Sequence, residues 1–316
     1  MSGPALELKE SAGTPEQGGR HWDGRTRSGL GIRFMYWLFR ALGPLFAYTL
    51  LYPVVFYYLL FAGKHGRASR DYLRRAFPEA GTLKILWLNY RHFLSFGRIL
   101  LDRAYAFAGM HDRFKFEREN TEAFEQALAM GKGLVIVSAH MGNWELAAHT
   151  LASSRPLVRQ VPINLVWFRN ESGKQEEQLR RVSGDQPYNI IDSRDPMQAS
   201  IDMIAALKRG EIVAIHGDRY TGNAIDVPFF GSEAPFPAGP YVVAANTGSP
   251  VLWVFANRLS HCRYSLRVAG PRVLQYRSRK TRSEDLYSWT AEYARELEKR
   301  LREFPLQWHN FYPFWG

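Results

Sequence analysis

Cysteine is almost absent from this 316-residue sequence, which contains only Cys262. A single thiol cannot close an internal disulfide and has no second cysteine with which to build a thiolate metal site. The disulfide-rich secreted classes and the cysteine-cluster zinc proteins are therefore excluded. A reducing compartment is the natural setting, which for a membrane-associated protein is the cytosolic side of the membrane.

Several common catalytic motifs are also missing. The sequence has no Gly-x-Ser-x-Gly for a serine hydrolase and no His-Glu-x-x-His for a zinc protease. Its Gly131-Lys132-Gly133 lacks the remaining residues of a Walker A loop and is typical of a helix C-terminus. No internal repeat or low-complexity tract is present.

Acidic residues are fewer than basic ones: the 41 Lys and Arg outnumber the 30 Asp and Glu, which gives a net charge of +11. This excess indicates an acidic partner, which could be anionic lipid, nucleic acid or an acidic carrier protein. The arginines cluster around an apolar segment, and no nucleic-acid-binding motif is recognised. We therefore expect no nucleic-acid partner.

That apolar segment lies between Arg40 and Lys64 and contains 23 residues without a charge. A helix of this length, at ~1.5 Å per residue, would cross a ~30 Å hydrocarbon core. We predict a membrane-anchor helix over residues 30–63, preceded by a disordered basic arm over residues 1–29. Pro53 predicts a kink, so a re-entrant hairpin, an interfacial helix and a buried helix of a soluble fold stay open as alternatives. Basic residues flank both ends, so the positive-inside rule gives no orientation.

The remaining residues, 64–316, are predicted to form one domain, with a helical lead-in over 64–120 and an α/β core over 121–316. Apolar residues at helical spacing predict helices across 67–108. Apolar runs of strand length then alternate with helical patterns. Strands are predicted at 134–137, 157–168, 211–216 and 250–255, and helices at 122–130, 197–209, 241–247 and 281–301. The fold class is therefore α/β, with a central mixed sheet flanked by helices.

The most informative stretch is 133–145, where a short apolar run ends in His140 and a carboxylate, Glu145, follows five residues later. Gly142 allows the chain to bend, Asn143 is a suitable helix N-cap, and Glu145 falls in the first helical turn. A neutral imidazole at a strand end can remove a proton from a hydroxyl while a carboxylate fixes its tautomer. The alternative is a buried histidine that is hydrogen-bonded to a local carboxylate without any catalytic role.

With His-x-Gly-Asn-Trp-Glu at 140–145, the sequence resembles the bacterial lipid A biosynthesis acyltransferase family, within the wider group of glycerolipid and lysophospholipid acyltransferases that carry His-x4-Asp/Glu. The resemblance runs from the anchor to the last residue. The usual family sequence is altered at 217–220 and at 236–239, which indicates a divergent branch. Supporting segments are Arg169-Asn170, Asp218, Phe230-Gly231, Gly239, the strand after Pro250 and the closing 307–315.

The resemblance implies a membrane-associated acyltransferase. It would move a fatty acyl group from a thioester of acyl carrier protein or coenzyme A to a hydroxyl or amine of a lipid or glycolipid, with no cofactor and no metal. His140 and Glu145 would be the catalytic dyad of a single displacement without an acyl-enzyme. Such an enzyme is expected at the bacterial inner membrane, with its catalytic domain on the cytosolic side.

Other residues would contact the substrates. Contacts to the oxyanion or to an anionic group are expected from Arg169, Asn170, Asp218 and Arg219, and from the backbone N–H groups of Gly142 and Asn143 at a helix N-terminus. The acyl chain needs an apolar groove, for which the candidates are Trp144, Phe229, Phe230 and Phe236.

Two rival functions stay open. A metal-dependent hydrolase could be built from histidines and carboxylates of the same regions, although their spacing matches no standard metal motif. A membrane-bound scaffold that uses the basic flanks would keep its function after His140→Ala or Glu145→Ala. The residues of the metal alternative are His140, Glu145, His149, His216 and Asp218.

Overall fold

Three helices come first in the computed structural model, which describes residues 30–106, 110–144, 146–147, 161–167, 188–219 and 224–315, with the backbone alone for residues 30–45 and 111. They are α1 (Leu30–Phe61), α2 (Gly63–Ala76) and α3 (Thr82–Tyr105). Apolar side chains of α1 and α3 form one cluster. Gly97 of α3 allows a close approach, because a Cβ there would lie 3.0 Å from Leu51 Cδ2 of α1. The helices predicted across residues 67–108 are confirmed as α2 and α3.

The membrane anchor predicted over residues 30–63 is not confirmed as a single spanning helix. Among the helices whose side chains are described, none is long and apolar enough by itself to cross a bilayer. One bent pair, Phe46–Phe61 with Gly63–Ala76, meets the requirement jointly, and its two helices are bent by 101°. Pro53 lies inside the continuous helix α1, so the chain bends between α1 and α2, where Gly63 has a φ of +46°, and not at the proline.

The described strands fall into two sheets. In chain order they are β1 (Lys115–Glu119), β2 (Leu134–Ser138), β3 (Ile163–Trp167), β4 (Tyr188–Asp192), β5 (Ile212–His216), β6 (Ala224–Phe229), β7 (Ser232–Pro237), β8 (Val251–Ser260) and β9 (Arg263–Arg272). The larger sheet has the order β1-β9-β8-β2-β5-β3-β4. Only β8 and β9 pair antiparallel in it, and the other neighbours are parallel. The predicted mixed sheet is confirmed.

Helices cover both faces of this sheet. The continuous apolar run of β2 predicts burial on both sides, and the structure confirms it, since Leu134 belongs to one buried apolar cluster with Phe124 of a helix and Val135 to another with Leu297 of a second helix. Asp195 caps one of these helices by accepting hydrogen bonds from the N–H groups of Met197 and Gln198. The flanking helices are α4 (Ala123–Ala129), α5 (Pro196–Lys208), α6 (Gly239–Thr247) and α7 (Arg282–Glu303), and a 3₁₀ turn spans His111–Arg113.

The smaller sheet is the antiparallel hairpin of β6 and β7. It brings Phe229, Phe230 and Phe236 into an aromatic cluster with the chain's closing segment. Phe229 stacks on Trp315 with ring centroids 5.7 Å apart. Phe236 meets Phe314 at 5.4 Å. The hairpin therefore fastens the closing segment beside the ends of the central strands.

A buried carboxylate joins the N-terminal helices to the sheet. Asp102 of α3 has no exposed side-chain surface and accepts a hydrogen bond from the hydroxyl of Tyr48 on α1. Arg258 of β8 donates to it from Nε at 2.7 Å, and Tyr264 of β9 donates at 2.5 Å. We call these four residues the Asp102 cluster.

Candidate active site

His140 lies in a turn just beyond the C-terminal end of β2, as the sequence predicts. Gly142 has a φ of +63°, and a Cβ at this position would lie 1.7 Å from the carbonyl oxygen of Ala256, so only glycine fits here. Asn143 caps the helical turn that follows, because its Oδ1 accepts a hydrogen bond from the N–H of Leu146 at 3.3 Å. The predicted bend and N-cap are confirmed.

The carboxylate that holds His140 in the described structure is Asp218. Strands β2 and β5 are parallel neighbours with Ser138 opposite His216, so the residues after both strands meet at one edge of the sheet. His140 Nδ1 lies 2.8 Å from Asp218 Oδ1, and the His140 N–H donates to Asp218 Oδ2 at 2.8 Å. An ionised Asp218 accepts a hydrogen bond from the Nδ1–H group, which leaves the lone pair of Nε2 available for a substrate proton.

Asp218 is buried, whereas His140 is partly exposed to solvent. The Asp218 side chain has no exposed surface, and the His140 side chain is 21% exposed. A third hydrogen bond to the carboxylate comes from Trp308 Nε1, which donates to Oδ2 at 2.8 Å. Asp218 is therefore held from three directions around the imidazole that it orients.

The electrostatics of the pair favour a neutral base beside an ionised acid. Burial disfavours the charged form of Asp218, but the attraction and hydrogen bond of His140 outweigh it and keep the pKa of Asp218 below its ordinary value. Burial, together with the charge of Arg219, lowers the pKa of His140, and Asp218 offsets part of this effect. At neutral pH, His140 is thus able to accept a proton.

A second histidine lies beside the first. The ring centroids of His216 and His140 are 4.1 Å apart, and Trp144 meets His216 edge-on at 4.9 Å. Ser138 Oγ lies 2.9 Å from His216 Nδ1. Burial, followed by repulsion from His140, holds the pKa of His216 well below its ordinary value, so His216 is neutral.

Several sequence-predicted site residues lie outside the described residues. They are Glu145, Arg169, Asn170 and, from the metal alternative, His149. The dyad of His140 with Glu145 and the substrate contacts of Arg169 and Asn170 therefore stay predictions.

The backbone donors predicted for the oxyanion are not free. The N–H of Gly142 donates to Gln307 O at 2.9 Å, and the N–H of Asn143 donates to Ala256 O at 3.0 Å. Each donor is thus used to hold the turn against neighbouring chain segments. This corrects the expectation that these two N–H groups stabilise the oxyanion.

Substrate contacts are also predicted for Asp218 and Arg219, and the structure gives these two residues different surroundings. The carboxylate of Asp218 is occupied by His140 and Trp308, so its role in the structure is to orient the imidazole. Arg219 lies with its guanidinium carbon 5.4 Å from the ring centroid of Tyr312, whose hydroxyl donates to the Asp218 carbonyl at 3.1 Å. Contact of Arg219 with a substrate stays a prediction.

The candidate groove residues separate into two groups. Trp144 lies at the site, half-buried against His216. Phe229, Phe230 and Phe236 are core residues, at most 6% exposed, and their place in the aromatic cluster gives no support to the groove assignment.

The site also bears on the metal alternative, since His140, His216 and Asp218 each offer a ligand atom and these atoms lie within 4.8 Å of one another. Their hydrogen bonds argue against this use. Both Nδ1 atoms are engaged, by Asp218 and Ser138, and Asp218 already accepts three hydrogen bonds. A metal bound to all three residues would compete with these hydrogen bonds for the Asp218 carboxylate.

A histidine held by a buried carboxylate at the strand ends of a mixed α/β sheet defines a site for general-base chemistry. The chain belongs to the bacterial lipid A biosynthesis acyltransferase family, whose sequence model matches residues 30–316.

Relatives of known name support this membership. The chain is 25% identical over 202 residues to a phosphatidylinositol mannoside acyltransferase of Mycobacterium tuberculosis, covering 60% of this chain and 57% of the relative. It is 26% identical over 200 residues to the protein of the same name from Mycolicibacterium smegmatis, covering 60% and 59%. The match thus spans less than two thirds of either relative.

Proposed function

We propose that this chain transfers a fatty acyl group from an acyl thioester to a hydroxyl of a lipid or glycolipid at a membrane surface, with His140 as general base. The observation that carries the proposal is the hydrogen bond of 2.8 Å between His140 Nδ1 and the buried Asp218. With Nδ1 engaged by Asp218, the free lone pair of the imidazole lies on Nε2, and the His140 side chain is 21% exposed. Membership of an acyltransferase family supplies the reaction class.

The reaction is a single displacement. His140 Nε2 takes the proton of the acceptor hydroxyl while the hydroxyl oxygen forms a bond to the thioester carbonyl carbon. The carbon–sulfur bond then breaks, and the imidazolium returns the proton to the departing thiolate. Asp218 stays ionised throughout and stabilises the imidazolium. An amine acceptor would follow the same course.

The substrates are proposed from the relatives. Those proteins are named for phosphatidylinositol mannoside, which supports a glycolipid acceptor whose sugar hydroxyl is acylated. Acyl carrier protein and coenzyme A are the two donors that present a fatty acyl thioester, and the net charge of +11 suits either acidic partner.

Contact with a membrane is supported by the surface of the N-terminal helices. Large apolar side chains are exposed on α1, such as Phe56 at 62% and Phe61 at 71%, and on α3, where Leu83 is 83% exposed. Exposed cations on α2, among them Lys64 and Arg67, lie next to them in the chain. Apolar side chains with flanking cations suit the surface of an anionic bilayer. We place the enzyme at the bacterial inner membrane, with the site on the cytosolic side.

The test is acyl transfer by purified protein. Palmitoyl-coenzyme A and palmitoyl-acyl carrier protein are offered in separate reactions to vesicles that contain phosphatidylinositol mannoside or a lipid A precursor, and products are identified by mass spectrometry. We expect one acceptor to gain an acyl group with the wild type and none with His140→Ala. His261→Ala is the matched control, because it removes an exposed imidazole from the β8–β9 turn. Full activity of His140→Ala would overturn the proposal.

The same preparation tests the metal-dependent hydrolase, which the convergence of His140, His216 and Asp218 keeps as a second candidate. Stoichiometric bound zinc, combined with activity that a chelator abolishes, would favour it. Activity that is unchanged by the chelator would favour the general-base mechanism.

A further inference from the structure

The proposed reaction needs a hydrogen-bond donor that the site described so far does not supply. Attack on a thioester places negative charge on the carbonyl oxygen, and a fixed donor to this oxygen is worth ~100- to 1,000-fold in rate. The N–H groups of Gly142 and Asn143 are occupied within the protein. A side chain close to His140 whose N–H has no partner within the protein would suit this task.

His216 is in the right place. It is the last residue of β5 and lies directly opposite Ser138, the last residue of β2, so the sheet register fixes its position beside the end of β2. Asp218 follows it two residues later in the chain. Its ring lies 4.1 Å from that of His140, centroid to centroid. Trp144 packs edge-on against the ring at 4.9 Å and limits its rotation. Among the described residues, the contact of its Nδ1 with Ser138 accounts for the hydrogen bonding of this side chain.

The hydrogen bond with Ser138 is the contact that bears on which nitrogen of His216 carries the proton. The carbonyl of Ser138 is used by the Gly217 N–H and by the Tyr293 hydroxyl, both at 2.7 Å, so the end of β2 is firmly held. The Ser138 hydroxyl lies 2.9 Å from His216 Nδ1. When this hydroxyl donates to Nδ1, the imidazole proton resides on Nε2, and His216 presents an N–H donor.

The two histidines thus have different partners and suit different tasks. His140 is held by a carboxylate, which stabilises the imidazolium formed when the base takes a proton. His216 is held by a neutral hydroxyl and is 7% exposed, and its burial disfavours the protonated form. A neutral imidazole N–H is a suitable partner for an oxyanion because it donates without losing its proton.

We propose that His216 donates a hydrogen bond from Nε2 to the carbonyl oxygen of the acyl thioester and stabilises the oxyanion, with Ser138 as the positioning residue that fixes its tautomer. The inference rests on the proposed acyl transfer. His216 neither gains nor loses a proton in any step. The nucleophile's proton goes to His140 and then to the thiolate.

The test compares His216→Gln, whose side-chain amide can place an N–H near the position of Nε2, with His216→Leu, which has no donor. Thiol release from palmitoyl-coenzyme A is measured with vesicles of phosphatidylinositol mannoside, and thermal unfolding checks that each variant is folded. We expect His216→Leu to lower kcat ~100- to 1,000-fold with little change in KM, and His216→Gln to stay within about tenfold of the wild type. Ser138→Ala should fall between them.

Two outcomes would overturn the inference. One is a kcat of His216→Leu within about threefold of the wild type, and the other is an equal loss in folded His216→Gln and His216→Leu. His140→Ala, assayed alongside, separates this failure from that of the proposed function: activity in His140→Ala refutes both, whereas activity in His216→Leu alone refutes only the role of His216.

The tautomer of His216 can also be measured directly by NMR in the wild type, so this test does not depend on the folding of a His216 variant. In ¹⁵N-histidine NMR spectra of the wild type near neutral pH, His216 should be neutral with its proton on Nε2. The resonance is assigned by its absence in His216→Gln or, should that variant be unfolded, by its shift in Ser138→Ala. A proton on Nδ1 would overturn the inference.

Discussion

Asp102 and Asp218 are both without exposed side-chain surface, and each accepts three hydrogen bonds, yet they have different partners. Asp102 is paired with the guanidinium of Arg258 and with two tyrosine hydroxyls. Asp218 is paired with an imidazole and an indole N–H.

The difference shows how one kind of buried carboxylate serves two purposes. A fixed ion pair such as Asp102–Arg258 can only hold its surroundings together, and here it ties α1 and α3 to β8 and β9. The partner of Asp218 can change its charge and is partly exposed, so the same burial prepares His140 to receive a proton. It is the titratable and partly exposed partner, and not the buried aspartate itself, that marks the proposed catalytic site.

The largest expected effect comes from Asp218→Asn. An amide can no longer stabilise the imidazolium, and its N–H₂ group favours the wrong tautomer of His140. We expect kcat to fall ~1,000- to 10,000-fold in protein that remains folded, as measured by acyl transfer and thermal unfolding. Asp102→Asn is the matched control, because it makes the same change at the other buried carboxylate. Equal losses per folded molecule in both variants would contradict the distinction.

Asp102→Asn should act on stability instead. It leaves the guanidinium of Arg258, whose side chain is 14% exposed, without its counter-charge. Breaking a buried ion pair in this way costs about 3–5 kcal/mol. Urea unfolding measures this change, and the double variant Asp102→Asn/Arg258→Met should recover part of it. An unfolding free energy equal to that of the wild type would show that the Asp102 cluster does not hold the helices to the sheet.

The elements that the sequence predicts well are those with a strong local pattern. The apolar run 134–137 and the helix ending near Gly210 are bounded by residues that signal their own ends, and both are confirmed. Strand β9 was missed because charged and apolar residues mix in it, and β1 because four of its five residues are exposed. Of these two, β1 is an edge strand, and an edge strand gains its order from its neighbour, which a local pattern does not reveal.

The site shows the same limit. The turn at His140 could be predicted because Gly142 and Asn143 act within a few residues. The partner of His140 could not, since Asp218 is 78 residues away and only the pairing of β2 with β5 brings it close. Sequence reasoning placed both residues at strand ends and named Glu145 as the partner of His140, a contact that lies outside the described residues and stays a prediction.

The pH dependence of the reaction should report on the pair of His140 and Asp218. His140 acts as a base only when neutral, and its pKa lies below its ordinary value of about 6.5. The rate should therefore be level near neutral pH and fall as the pH drops through this pKa. Asp218 raises the pKa of His140, so in Asp218→Asn the residual rate should fall only at a still lower pH. A limb at higher pH in that variant would contradict the assignment of His140 as the base.

The smallest effect is expected from Arg98→Ala, which tests whether Arg98 or Arg258 is the cation that stabilises Asp102. The spacing of Arg98 and Asp102 in the sequence suggests an ion pair between successive turns of α3. In the structure, Arg98 instead donates to the hydroxyl of Tyr52 at 2.9 Å in an exposed contact. Removing it should change the unfolding free energy by no more than about 0.5 kcal/mol, whereas Arg258→Met should approach the cost of Asp102→Asn. A large loss in Arg98→Ala would mean that the local pair, and not the one from β8, stabilises the buried carboxylate.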